Sequence, residues 1–191
     1  MRRLLVCLFL LLPLSAAAQT QADEAALWAA LRDGGHVALI RHALAPGTFD
    51  PPGFRVGDCS TQRNLNDEGR AQARRIGEWF ASRGLQPSRV RSSPWCRCME
   101  TATLAFGRAH AWDALASPHG VSESTGAANL KALRQALAEA SARRGVFEVW
   151  VTHMFVLNDL VGVNTASGEG LILQTDAAGA PRVLERLAIP V

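Results

Sequence analysis

Long apolar runs are scarce in these 191 residues, and the most prominent one is too short to cross a membrane. It spans Leu4 to Leu14, about a dozen residues against the ~20 that a spanning helix needs. Met1-Arg2-Arg3 precedes it and Ser15-Ala16-Ala17-Ala18-Gln19 follows, which is the charged, apolar, small-residue order of a secretory leader. Cleavage is expected after Ala18. Cys7 lies near the start of the run, where lipid attachment is disfavoured, so no stable membrane anchor is expected after cleavage. Excess charge is equally scarce. The formal net charge is +3, and a cut after Ala18 removes Arg2 and Arg3 to leave +1. That is too weak a field to argue for nucleic acid or a polybasic membrane surface. There is no internal repeat and no low-complexity tract. The domain organisation read from this is a leader over residues 1–18 and one domain over residues 19–191.

Cysteine is sparse, and metal-ligand spacing is missing. Cys59, Cys96 and Cys98 remain after the leader. An oxidising compartment would allow a disulfide between Cys59 and either of the other two. Zinc is the competing reading, but Cys-x-Cys lacks the two-to-four-residue gap common in structural sites, and unpaired thiols are the third possibility. His36, His110 and His119 stand in no motif and read as structural or surface residues.

What is present alternates between strand and helix signals. Asp23 to Arg32 reads as a helix stopped by Gly34-Gly35, and Val37 to Ile40 as a buried strand that delivers Arg41-His42. Ala45 to Gly57 holds three prolines and three glycines, which predicts a long loop just beyond that strand, a place where loops shape substrate choice. Asn66 caps an expected helix over Asp67 to Arg83. A short strand around Val90 ends at Ser92-Ser93, and Pro94 supplies the expected first position of a helix that carries Arg97 and stops at Gly107. Ala109 to Ser124 is expected to hold one short strand among loops. A helix over Gly126 to Arg143 leads to the strand Val146 to Val151, which delivers Thr152-His153. Gly170 to Gln174 and Val183 to Ile189 close the chain as a strand pair. The expected fold is α/β, three layers with a mostly parallel central sheet flanked by helices.

Ligands in such sheets bind beyond the carboxyl ends of the strands, and here those ends carry Arg41-His42, Ser92-Ser93 with Arg97, and Thr152-His153. Guanidinium groups grip phosphate oxygens with paired hydrogen bonds, and an imidazole kept neutral by neighbouring cations can attack phosphorus. The chain resembles the histidine phosphatase superfamily, which also contains the cofactor-dependent phosphoglycerate mutases. The likeness runs through Leu39-Ile40-Arg41-His42, then Leu65-Asn66-Asp67-Glu68-Gly69-Arg70-Ala71-Gln72-Ala73, then Ser92-Ser93-Pro94-Trp95-Cys96-Arg97-Cys98-Met99-Glu100-Thr101-Ala102, then Val151-Thr152-His153.

The resemblance implies that His42 is the phosphorylated nucleophile, that Arg41 and Arg97 hold the phosphoryl group and that His153 donates to it. Arg63 is a candidate third phosphate contact, and Glu100 and Thr101 are expected to support Arg97. No metal and no cofactor are expected. Two positions depart from the pattern. Ala43 stands where glycine is usual, which requires a negative φ there. Met154 stands where one branch has a proton-donating aspartate, so by position the general acid falls to Glu123, with Asp113 second. The expected function is metal-independent hydrolysis of a small phosphorylated metabolite or an envelope sugar phosphate in the periplasm or outside the cell. A phosphohistidine-protein phosphatase and a non-catalytic phosphate-binding module are the alternatives. A mutase would need a phosphorylated cofactor that an exported protein does not meet.

Overall fold

The computed structural model describes Ala25, residues 27–187 and Ile189. The expected leader over residues 1–18 and the start of the first helix at Asp23 lie outside the described residues. Among the described residues no helix is long and apolar enough to cross a membrane.

Strand β1 (His36–Arg41) is almost wholly buried because its residues are apolar on both sides. Val37 and Leu39 face one core and Ala38 and Ile40 the other. Strand β4 (Phe147–Thr152) repeats this, with Val149 and Val151 in the second core and Trp150 in the first. Burying each large aliphatic side chain is worth about 1.5–3 kcal/mol, so a strand with two apolar faces demands cover on both. That cover makes three layers. Helix α1 (Asp67–Ser82), helix α2 (Cys96–Phe106) and helical residues 27–33 pack on the Ile40 side, while helix α3 (Glu123–Ser141) and helix α4 (Met154–Val161) pack on the Leu39 side.

With β2 (Arg89–Ser92), β3 (His110–Ala111), β5 (Gly170–Thr175) and β6 (Pro181–Leu187), the six-stranded sheet runs β3-β2-β4-β1-β5-β6. Strands β3, β2, β4 and β1 are parallel. The final pair is antiparallel, β5 on β1 and β6 on β5. The expected α/β architecture therefore stands, with the terminal hairpin forming one edge.

Several local expectations shift. Helix α2 starts at Cys96 rather than at Pro94, because Trp95 is extended (φ −64°, ψ 137°) and takes the N-cap position. Its carbonyl receives the amides of Cys98 and Met99. Helix α3 begins at Glu123, three residues earlier than Gly126, since the Ser122 side chain accepts from the Thr125 amide and caps it. Ala109 to Ser124 holds β3 and two 3-10 turns. Helix α4 was not anticipated from the strand–helix alternation. Asn66 caps α1 as expected, through the Gly69 amide at 2.8 Å.

Gly69 is required by a close approach and not by its backbone angles. A Cβ there would lie 1.9 Å from the Leu44 carbonyl oxygen and 2.8 Å from its carbon, and backbone cannot move aside cheaply. Gly126, also helical, has nothing within 4 Å of the position a Cβ would take. Gly69→Ala is therefore expected to lower stability by roughly 1–3 kcal/mol in denaturant unfolding, while Gly126→Ala leaves it unchanged or raises it by about 0.5–1 kcal/mol. Equal responses at the two positions would contradict this account of how α1 meets the segment after His42.

Candidate active site

The register of the parallel strands brings the expected residues to one rim. Arg41 pairs with Thr152 and Ser92 with Val151, so the next residues, His42, His153 and Ser93, leave the sheet side by side. The His42 amide continues the ladder to the Thr152 carbonyl at 2.9 Å, and the Ser93 amide reaches the Val151 carbonyl at 2.9 Å. Ala43 follows without a positive φ, since no non-glycine residue has one among the described residues, and its amide donates to Thr101 Oγ1 at 3.0 Å. That hydroxyl donates in turn to the Arg97 carbonyl at 2.6 Å, so Thr101 joins the His42 turn to the Arg97 helix. Glu100 pairs with Arg70 at 2.7 Å on the outside.

His42 is 2% exposed. Its Nδ1 lies 2.8 Å from the Ala43 carbonyl, and a carbonyl only accepts, so the proton sits on Nδ1 and the lone pair on Nε2. Arg97 Nε donates to that lone pair at 3.3 Å. Burial, and then the charges of Arg97, Arg63 and Arg41, push the His42 pKa down to about 3 against the opposing bond to Ala43. His153 is likewise held well below the usual imidazole range, by burial first and then by His42 and Arg97. Its Nδ1 receives Arg97 Nη2 at 3.2 Å, which leaves the proton on Nε2 for Ser93 Oγ at 2.8 Å. Both rings are neutral, and both turn an acceptor nitrogen to one guanidinium.

Arg41 and Arg63 line the same cleft, whose volume is about 100 Å³. Arg41 Nη1 donates to the Thr165 carbonyl at 2.6 Å, and Arg63 Nη1 to the Ala45 carbonyl. The Nε atoms of both are buried without a hydrogen-bond partner. Burial and then Arg97 lower the Arg63 pKa to about 10. Among the residues lining the cleft, three guanidiniums face one carboxylate, that of Asp50. Such a site favours an anion with several acceptor oxygens.

Asp50 was not singled out from the sequence. Its Oδ1 accepts from Arg97 Nη1 at 2.8 Å and from the Arg63 amide at 3.0 Å, and its Oδ2 accepts from Trp95 Nε1 at 3.1 Å. It lies in the long loop that was expected to shape the pocket, which also contributes Thr48, Phe49 and Phe54. His119, read from the sequence as a structural or surface residue, is exposed and also lines the cleft. It meets Phe155 edge-on at 4.2 Å and Phe49 at 5.7 Å, and these three rings form the mouth. His36 is buried at the start of β1 and His110 is exposed on β3, as read from the sequence. Glu123 is not brought to the cleft. It is exposed as the first residue of α3, and Asp113 is exposed in a 3-10 turn, neither among the lining residues.

A disulfide joins Cys59 to Cys96, with Cα atoms 5.7 Å apart, and Cys98 is a buried free thiol. It ties the end of the Asp50 loop to the residue before Arg97. Burial pushes the Cys98 thiol up to about 12, so it is inert as a nucleophile. Among the described residues no three His, Cys, Asp or Glu side chains gather as a metal-ligand set.

Residues 37–123 match the sequence profile of the histidine phosphatase superfamily (branch 1). No curated protein matches the chain. Solved structures do. The protein histidine phosphatase SixA complexed with tungstate aligns with a TM-score of 0.51 at 19% identity, covering 80% of this chain and 96% of that one. Phosphoserine phosphatase from Entamoeba histolytica, in complex with 3-phosphoglyceric acid, gives 0.58 at 13% identity, covering 80% and 96%. A mycobacterial glucosyl-3-phosphoglycerate phosphatase complexed with VO3 gives 0.53 at 16% identity, covering 78% and 96%. At these identities the likeness is one of fold.

The depressed histidines link stability to pH. The folded His42 stays neutral down to about pH 3, while an unfolded histidine takes up a proton near pH 6.5. Between those limits the unfolded chain binds more protons, so this contribution to stability is present at neutral pH and is lost as pH falls, by up to about 1.4 kcal/mol per unit. Denaturant unfolding at pH 7 and pH 4.5 is expected to show a loss about 2–3 kcal/mol smaller in His42→Asn than in the parent, which is that slope over two units. Parallel losses would show that His42 is not held neutral by its surroundings.

Proposed function

We propose that the chain, whose residues 37–123 match the histidine phosphatase superfamily (branch 1), is a phosphoric monoester hydrolase that works through a phosphohistidine formed on His42. The observation that carries this reading is the His42 Nε2 lone pair, held neutral and aimed by its Nδ1 bond into a cleft with Arg41, Arg63 and Arg97. In the first step Nε2 bonds to phosphorus as the bond from phosphorus to the alcohol oxygen breaks. In the second, water attacks phosphorus and the P–N bond breaks, which returns His42 and releases phosphate. The guanidiniums lie where charge spreads over the transferring oxygens and supply the stabilisation that a metal gives in other phosphatases. His153 lines the same cleft and can donate to those oxygens once its proton has moved from Nε2 to Nδ1, with Ser93 Oγ then donating to Nε2.

The substrate is a small phosphorylated metabolite or an envelope sugar phosphate. The rings of Phe49, His119 and Phe155 beside the cleft support a ring-bearing alcohol. The protein works outside the cytoplasm, a reading supported by the Cys59–Cys96 disulfide, since such bonds persist in oxidising compartments.

Acid-labile phosphate from labelled substrate is expected on His42, and His42→Ala is expected to stay folded with no turnover of 4-nitrophenyl phosphate. Activity should survive exhaustive chelation. Label on another residue, full activity in the variant, or loss on chelation with rescue by zinc or magnesium would overturn the mechanism. Faster turnover of a phosphohistidine protein than of any small ester would replace the substrate class.

A further inference from the structure

Both steps of this reaction move a proton. The departing alkoxide needs one, and the attacking water must lose one. Glu123 and Asp113, the acids favoured by position in the chain, do not line the cleft, whereas Asp50 does. We propose that Asp50 is the carboxyl that protonates the departing alcohol and then takes the proton of the attacking water. The proposal rests on the phosphohistidine reading above.

The geometry supports it in three ways. First, the side chain is held in place and not merely nearby. The Arg63 amide holds Oδ1 and Trp95 Nε1 holds Oδ2, and the side chain is only 9% exposed. Second, its remaining partner is the group that substrate must engage. Arg97 donates through Nε to His42 Nε2 and through Nη1 to Asp50 Oδ1, so nucleophile and carboxylate are set by different nitrogens of one planar group. A phosphoryl group that takes Nη1 for its own oxygens releases Oδ1 and places like charge beside it. Released from Nη1, that oxygen can accept the proton that a phosphate monoester monoanion brings. Third, Asp50 follows Phe49 directly, and Phe49 belongs to the mouth through which the alcohol part of the substrate must extend. The carboxyl and the Phe49 ring therefore line the same cleft.

The proton balance closes over one cycle. Protonated Asp50 gives its proton to the alkoxide as the P–O bond breaks, leaving an alcohol, a carboxylate and phosphohistidine. Water then attacks phosphorus, its proton passes to the Asp50 carboxylate, and the P–N electron pair returns to His42 Nε2.

The competing role for Asp50 is to position Arg97, and it predicts different kinetics. Asp50→Asn keeps the shape and an acceptor oxygen, and an unchanged melting temperature shows that it folds. With enzyme in excess, alcohol release from glycerol phosphate is expected to fall by about 10²–10⁴-fold. Nitrophenol release from 4-nitrophenyl phosphate, whose anion leaves unaided, should fall less than about tenfold on the same grounds. With 4-nitrophenyl phosphate, whose first step stays fast, phosphohistidine should also accumulate, because water has lost its base. Equal losses in the release of both alcohols, or no loss in either, would overturn the role of Asp50 while leaving the His42 mechanism intact. Nitrophenol release by the parent protein without any phosphohistidine would instead refute the mechanism itself, and this proposal with it.

Discussion

Arg97 is 3% exposed yet carries a full charge, and burying an isolated charge costs several kcal/mol unless surrounding groups replace water. Here the replacements are His42 Nε2, His153 Nδ1 and Asp50 Oδ1, at 3.3, 3.2 and 2.8 Å. The dependence is mutual. The guanidinium can donate to the two imidazoles only while both nitrogens keep their lone pairs, so Arg97 helps to hold the rings neutral, and the neutral rings help to keep the buried charge solvated. One side chain thereby adds to the burial that keeps the nucleophile neutral, and it also holds His153 and the Asp50 carboxylate.

The scaffold serves that guanidinium from several sides. The parallel register of β1, β4 and β2 brings His42, His153 and Ser93 to the same level. Thr101 bonds both the Arg97 carbonyl and the amide after His42, which fixes the two elements against each other. Gly69 lets α1 approach the Leu44 carbonyl closely. The Cys59–Cys96 disulfide closes the Asp50 loop onto the first turn of α2, one residue before Arg97. In the chain-entropy picture a loop of that length is worth about 4 kcal/mol, and its geometric effect is to keep Asp50 and Arg97 in one rigid corner.

Most of this was legible in the sequence because it follows from local rules. Apolar runs marked the central strands, Asn66 and Gly107 marked helix ends, and four short motifs in order marked Arg41, His42, Arg97 and His153. What was not legible depends on tertiary placement. Asp50 is the one acid in the segment Ala45 to Gly57, but its bonds reach 13, 45 and 47 residues along the chain, and no spacing reveals them. His119 joins the mouth only because the 3-10 turn Pro118–Gly120 brings its ring against Phe49 and Phe155. Glu123 looked well placed along the chain, yet the Ser122 cap starts a helix there that leaves its side chain in solvent. The pairing of Cys59 with Cys96, and not with Cys98, was open for the same reason. Residue spacing allowed both, and only the inward turn of Cys98 towards His153 decided it.

The account turns on one arrangement, a neutral His42 and an ionic Asp50 competing with the substrate phosphoryl group for the nitrogens of Arg97. A crystal structure of the protein with orthovanadate tests this most directly. The account predicts vanadium bonded to His42 Nε2, its oxygens on Arg41 and Arg97, and Asp50 Oδ1 released from Arg97 towards the apical oxygen opposite His42. Vanadate held elsewhere, or bound with the Arg97–Asp50 pair intact and His42 Nε2 still on Arg97, would contradict it.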